Sequence, residues 1–445
     1  MIRTSKGLLI LLCCIIMFTS IKNIFVVGCV DAYSSEDTIS YGFYPQSLVK
    51  DDKIINALNS APKKWVSYNY YTIKDHETKV PCMSDCAKYC DVEYPIGSNT
   101  YFRGVIFTQY RSNCTTNADW QEPHQLNSGY KLNEIYWFIW EPLNWVVLNH
   151  DTGLVVCKEI IDAQPFNTKL IRTDDDYYID EQSIHYANNY ETSSIREWLT
   201  SNDSNSFLNL AFQKNEIDLI YTTHLINEGY DESYNCISTN DKIFLLSYED
   251  GFSQWDFDFD VKEPTKMVGC TDYSKSQGVP WFWFEDAESD LYGNGYYLLR
   301  NAGVYYSYYV CAVNESGTFH TNYESNQVIG VRPAMCVNIE AIKNRAKSVS
   351  VSDKTVQYKS KEIISPTIDI GSDTEYTTIF ESSNPNIVEV DSFGNILTHG
   401  IGKSTITVTV VDQYENQVSD SCVLTIYYTW WQKLIRILLL GFIWY

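Results

Sequence analysis

The chain has 445 residues, 44% of them apolar and 15% aromatic, enough to bury the cores of two or three domains and too rich for a disordered polymer. Lys and Arg number 33 against 56 Asp and Glu, a net charge of −23, so the basic excess that a phosphate backbone demands is missing and no nucleic-acid partner is expected. The acidity suits a soluble extracellular protein, and the 35 tyrosines suit either polar recognition surfaces or ordinary β-rich packing.

At the N-terminus Arg3 and Lys6 precede an apolar run at residues 7–19, of the length of a signal-peptide core. A second apolar stretch at 24–30 follows Lys22 and Asn23, so residues 1–32 read as a signal peptide or a signal anchor, and export is expected either way. Val26-Val27-Gly28-Cys29 has the form of a lipoprotein processing box in which the Cys29 thiol is acylated; cleavage after Ala32 is the competing reading. Of 13 cysteines, those at 13, 14 and 29 fall in this segment, and the even remainder fits disulfides in an exported chain. Cys82, Cys86 and Cys90 recur every four residues and would line one helical face. With no second Cys pair or His pair to match, disulfides or free thiols are expected there rather than a metal.

Residues 33–342 read as one mixed domain. Strand-like stretches occur at 136–140, 145–148, 154–160, 243–248, 296–299, 305–313 and 330–339. Helix signals cluster between them: Ser194 with Glu197 forms a capping-box pattern, and apolar residues repeat helically through 207–220. The expected class is α+β. If Cys311 and Cys336 lie on adjacent strands, they are placed to bond.

Candidate chemistry in this domain comes from acids and aromatics. Asp256, Asp258 and Asp260 alternate with Phe257 and Phe259, so on a strand their carboxylates share one face, as Ca2+ would accept. Asp174, Asp175 and Asp176 form a second acidic run, and for both the bland alternative is a solvated loop. Trp281, Phe282, Trp283 and Phe284 stand beside Glu285 and Asp286, just ahead of Arg300. Indoles stack on the apolar faces of sugars while carboxylates accept hydroxyl hydrogen bonds, which makes Trp281, Trp283, Glu285, Asp286 and Arg300 the candidate ligand-binding residues; a core strand with buried tryptophans is the alternative. No G-x-S-x-G, H-E-x-x-H, P-loop or G-x-G-x-x-G occurs, and no catalytic residue is assigned. Arg196 and Arg332 are expected to form structural salt bridges with acids such as Asp241 or Asp272.

Residues 346–428 change character, with short strand-like stretches at 355–358, 387–390, 405–411 and 422–428 separated by Gly, Asn, Asp and Ser, the spacing of an all-β sandwich. In Thr405-Ile406-Thr407-Val408-Thr409-Val410 the alternation puts Ile and Val on a core face and Thr outside. Residues 429–445 form a hydrophobic, aromatic-rich tail in which Trp430, Trp431, Lys433 and Arg436 have the makeup of interfacial anchors; it is expected to embed in or dock on a membrane, the alternative being a helix packed on the preceding domain.

Ser382-Ser383-Asn384-Pro385-Asn386-Ile387-Val388, Gly394-Asn395-Ile396-Leu397 and Gly400-Ile401-Gly402-Lys403-Ser404-Thr405-Ile406 resemble a bacterial immunoglobulin-like domain of group 2, a resemblance that implies a spacer or stalk for surface display. Tyr41-Gly42-Phe43-Tyr44-Pro45-Gln46-Ser47, Tyr101-Phe102-Arg103-Gly104-Val105, Ser194-Ile195-Arg196-Glu197-Trp198-Leu199 and Gly330-Val331-Arg332-Pro333-Ala334, in order over about 41–340, resemble the uncharacterised bacterial family called domain of unknown function 6273. The Arg300 strand, a turn near Gly317 and the Gly-Val-Arg-Pro phrase also resemble the end of C-type-lectin-like folds of the formylglycine-generating-enzyme type, although that enzyme's copper-binding Cys pair is not recognisable. This resemblance implies a C-type-lectin-like architecture with 281–286 in the ligand-binding loop region.

The resulting expectation is an exported cell-surface protein whose non-catalytic recognition domain binds glycans or surface proteins, displayed on an Ig-like spacer and associated with the membrane through its termini. An extracellular polysaccharide-active enzyme and a structural envelope component are the rival readings.

Overall fold

The computed structural model describes residues 37–68, 70–73, 81–84, 86–115, 122–168, 170–173, 176–178, 185–251, 266–283 and 289–438. The expected export segment with Cys29, the run Asp256, Asp258 and Asp260 with its Ca2+, Asp174 and Asp175, and the acids Glu285 and Asp286 lie outside the described residues. The molecule is mostly strand with some helices, in sandwich-like sheets, and divides into two compact units, Met1–Val337 and Asn338–Tyr445.

The first unit is organised around a 15-residue strand, Ile135–Asn149, where sequence reading expects two shorter ones. One edge pairs with Thr38–Leu48; the other pairs with Tyr101–Phe107 along 135–139 and with Leu154–Cys157 along 145–149. Pro142, which lacks a backbone N–H, sits where that second edge changes partner, so a proline is tolerated mid-strand. The resulting nine-stranded sheet continues through Ala87–Glu93 on one side and Pro333–Val337 on the other. A five-stranded sheet runs Phe319–Glu324, Tyr309–Val313, Tyr297–Ala302, Val328–Val331, Asp162–Pro165. The chain passes between the two sheets at Arg332, whose Nε donates to the Cys157 carbonyl at 2.8 Å and whose guanidinium lies 5.2 Å from the Tyr297 ring. Arg332 thus braces the sheet crossover.

Several local expectations shift for identifiable reasons. The Cys82, Cys86, Cys90 segment is strand, Pro81–Ser84 and Ala87–Glu93, because 87–93 is recruited to the edge of Tyr101–Phe107. There Cys90 and Val92 turn inward to pack with Leu58, Phe102 and Trp137. Helix Ser194–Thr200 is capped one residue earlier than expected, by Ser193 accepting from Arg196 N at 3.2 Å. The helical pattern at 207–220 breaks into Phe207–Ala211 and Lys214–Asp218 because Phe212 adopts an extended conformation. Its buried ring packs 5.6 Å from Tyr41 and 6.2 Å from Trp145. Gly42, at φ +74°, lets that hairpin approach: a Cβ there would come within 2.8 Å of the Ala211 carbonyl oxygen.

Cys311 and Cys336 lie in different sheets and do not bond. Together with Cys90, Cys157, Cys236, Cys270 and Cys422 they are free thiols, so the expected disulfides are absent at these positions. Burial pushes the Cys157 and Cys270 thiols up to about 12, which makes them inert core residues.

In the second unit, Gly402–Asp412 pairs antiparallel with Gln417–Tyr427 and Tyr376–Ser382, while Lys354–Gln357 joins Gln417–Tyr427 in parallel. The period-2 pattern holds: Ile406, Val408 and Val410 are fully buried against Leu424, Ile426, Val356 and Val388, with the intervening threonines outward. The tail begins with the helix Trp430–Leu438.

Candidate functional site

The first unit carries a cleft of about 620 Å³ on the face of the nine-stranded sheet. Its floor follows from strand register. Asp91 and Arg103 are directly opposed on neighbouring strands and therefore project from the same face, with Tyr89 two residues from Asp91 joining them. Arg103 Nε and Nη2 donate to Asp91 Oδ1 and Oδ2 at 2.9 and 2.8 Å, and Trp140 Nε1 donates to the same Oδ1 at 3.1 Å. The guanidinium, 2% exposed, is sandwiched 4.5 Å from the Tyr89 ring and 4.7 Å from that of Trp140. Burial opposes its charge, yet the surrounding Tyr273 and Asp91 oxygens more than offset this and raise its pKa. Lysine could not reproduce this fork-and-stack arrangement.

Phenols form the next layer. Tyr273, on the short helix Asp272–Ser276, takes a hydrogen bond from Arg103 and lies with its hydroxyl 2.5 Å from that of Tyr68. Tyr44 donates to Asp162 Oδ2 at 2.6 Å, while Asp162 Oδ1 accepts from Ala163 N at 2.6 Å. Burial raises the Asp162 carboxyl pKa, against the pull of the Tyr44 hydrogen bond and of Arg111. Arg111, 4% exposed, donates to the carbonyls of Ala163 and Gln277 at 2.6 and 3.0 Å and ties the cleft wall to the helix bearing Tyr273. The opposite wall comes from helix Ser194–Thr200 and the turn after it, where Ser194, Trp198, Ser201 and Asn205 line the opening and Asn205 Oδ1 accepts from Tyr89 at 3.1 Å.

This is a hydroxyl- and amide-rich surface in which Arg103 is paired with Asp91 and Arg111 lies beside Asp162, with Glu197 and Asp203 also on the lining. It holds no nucleophile–base pair among these contacts. Among the described residues no cluster of His, Cys, Asp or Glu is placed to hold a metal. Sequence reading missed this cleft as a site, although it singled out the phrases containing Tyr44, Arg103 and Trp198.

The sequence-predicted aromatics line a second groove of about 640 Å³ together with His124, Tyr296, Tyr323 and Gln327. Trp283 is 40% exposed. Trp281 is anchored: its Nε1 donates to Ser128 Oγ at 2.9 Å, the Lys275 ammonium lies 4.5 Å from its ring, and Tyr292 packs edge-on at 5.8 Å. Burial pushes the His124 imidazole down to about 4, so it faces the groove neutral. Arg300 is not brought to this groove. It is 4% exposed, ion-paired with the Asp250 carboxylate and donating to the Leu245 carbonyl at 3.0 Å, so its place among the ligand-binding residues is corrected to a buried structural pair. Arg196 forms the anticipated bridge with Asp241, at 2.7 Å.

No curated protein matches this chain. A crystal structure of Drosophila N-cadherin EC1-3 is similar at 12% identity with a TM-score of 0.16, over 27% of this chain and 42% of that one, so this chain spans less than half of that neighbour's length and the likeness carries no argument. Residues 164–339 match the family model described as domain of unknown function (DUF6273), so the chain carries a DUF6273 domain, which starts at the cleft residue Gln164 and leaves the Asp91–Arg103 floor to the preceding segment.

Proposed function

We propose that the first unit is a non-catalytic recognition module that binds a neutral, hydroxyl-rich ligand, a glycan, in the Arg103 cleft. The carrying observation is the cleft floor itself: a buried, ion-paired and aromatically stacked arginine presenting phenols, with amides and hydroxyls around the opening. Tyr and Trp offer rings to sugar faces and polar tips to hydroxyls without side-chain ordering costs at binding. The paired Arg103 and the lining acids Glu197 and Asp203 favour a neutral ligand over an acidic one. The polysaccharide-hydrolase reading is less well supported, because Asp162, a carboxyl of this cleft raised by burial, already accepts hydrogen bonds at both oxygens.

In this reading the protein is an exported bacterial surface protein. The first unit has a C-type-lectin-like architecture, and the second is a bacterial Ig-like spacer of group 2, the role its alternating strands and glycine turns support. The test is a glycan array probed with the full chain, with and without Ca2+, beside Tyr68→Ala and Asn205→Ala. Retention of a neutral sugar class, weakened about tenfold or more by each substitution, supports the reading. Retention unchanged by both substitutions removes the cleft from it.

A further inference from the structure

We propose that the C-terminal helix Trp430–Leu438 is an interfacial docking element for a lipid bilayer carrying anionic headgroups. This goes beyond the glycan reading and does not depend on it. The second unit buries its own aliphatic side chains efficiently, yet Trp430 and Trp431 are each 64% exposed and Ile437 and Leu438 73% and 70%. The two indoles form an edge-to-face pair with centroids 4.4 Å apart. Exposed large apolar groups concentrated on one short helix mark an interaction site rather than scattered surface residues.

The helix is also held in place. Gln432 Nε2 donates to the Tyr358 carbonyl at 2.8 Å, and its Oε1 accepts from Thr429 N at 2.9 Å. Arg436 stacks 5.2 Å from the Tyr428 ring, which in turn meets Tyr358 edge-on at 5.1 Å. The exposed tryptophans are therefore presented from a fixed base.

Charge selects the occupant. The helix carries Lys433 and Arg436 and no acid, and the turn beginning beside Tyr358 adds exposed Lys359 and Lys361. In a chain of net charge −23, this local cationic rim is attracted to an anionic surface that repels the remainder. A second copy of the chain is the rival occupant, but an isologous pairing would bring these cations face to face. Indoles suit the headgroup level, Lys and Arg suit lipid phosphate, and the aliphatic end suits the acyl boundary. Among the described residues no helix is long and apolar enough to cross a membrane.

The experiment is co-sedimentation of the full chain with vesicles of phosphatidylcholine alone or mixed with phosphatidylglycerol. Wild type is run beside Lys433→Glu/Arg436→Glu, Trp430→Ser/Trp431→Ser and Trp430→Phe/Trp431→Phe, with thermal transitions compared to establish folding. The apolar N-terminal segment is common to all four and cancels between them. Charge reversal is expected to lower partition onto anionic vesicles about tenfold or more, while leaving the phosphatidylcholine baseline alone. The serine pair is expected to lose about tenfold on both surfaces, and the phenylalanine pair to retain most binding. Equal partition of all four proteins overturns the proposal. So does a wild-type dimer in analytical ultracentrifugation that the serine pair abolishes without any change in vesicle binding.

Discussion

The two clefts of the first unit are of similar volume and differ in how they are made. The second groove takes both its tryptophans, Trp281 and Trp283, from one short run of sequence, and Trp281 is largely taken up by Ser128, Lys275 and Tyr292. The Arg103 cleft is assembled across long separations: Tyr68 meets Tyr273 from 205 positions away, and Tyr44 meets Asp162 from 118. A conspicuous local motif can be spent on packing, while dispersed single residues converge on the better-organised polar surface.

Substitutions can break this contrast, and the largest effect is expected at neither cleft. Arg300→Met strands the buried Asp250 carboxylate and should cost about 3–5 kcal/mol in chemical denaturation, with glycan retention per folded molecule unchanged. A stability change near zero would return Arg300 to the list of ligand candidates. Arg103→Met should cost about 2–3 kcal/mol, less because Asp91 is partly solvated, and should abolish retention by releasing the phenol layer. Full retention would show that the ordered floor is not what the ligand reads.

The Trp281 groove has a pH signature of its own in His124. His124 stays neutral in the folded protein down to about 4, while an unfolded histidine takes its proton near ~6.5. Its contribution to stability is therefore complete above the unfolded value and is lost as pH falls from there toward about 4. Denaturation midpoints across that range should flatten in His124→Gln, and an undiminished slope would place the titrating group elsewhere. The smallest effect is expected for Trp283→Ala, within about 0.5–1 kcal/mol in stability, since the side chain is 40% exposed, and with no change in glycan retention. Lost retention there would exchange the roles of the two clefts.

Strand existence was widely legible, because period-2 alternation and β-branched runs survive into the folded state at 402–412 and 417–427. Boundaries were less so. Pro142 divides a pattern that tertiary pairing keeps continuous, and Phe212 breaks a helical pattern because its ring is worth more against Tyr41 and Trp145 than in another turn of helix. Cys82, Cys86 and Cys90 had a helical period and became strand, since sheet recruitment of 87–93 outweighs a three-residue periodicity.

Sequence alone determined the acidic balance, the change of character near residue 346 and the inward Ile and Val of the second unit. These depend on composition or on neighbours along one strand or helix. Only tertiary structure decided which arginine is a brace and which a floor. Arg103, Arg300 and Arg332 look alike in sequence, each on an apolar strand, yet they meet Asp91, Asp250 and the Cys157 carbonyl respectively. A guanidinium takes its role from the acceptors that fold around it, and those acceptors are set by strand register and chain crossover rather than by its own neighbours in the chain.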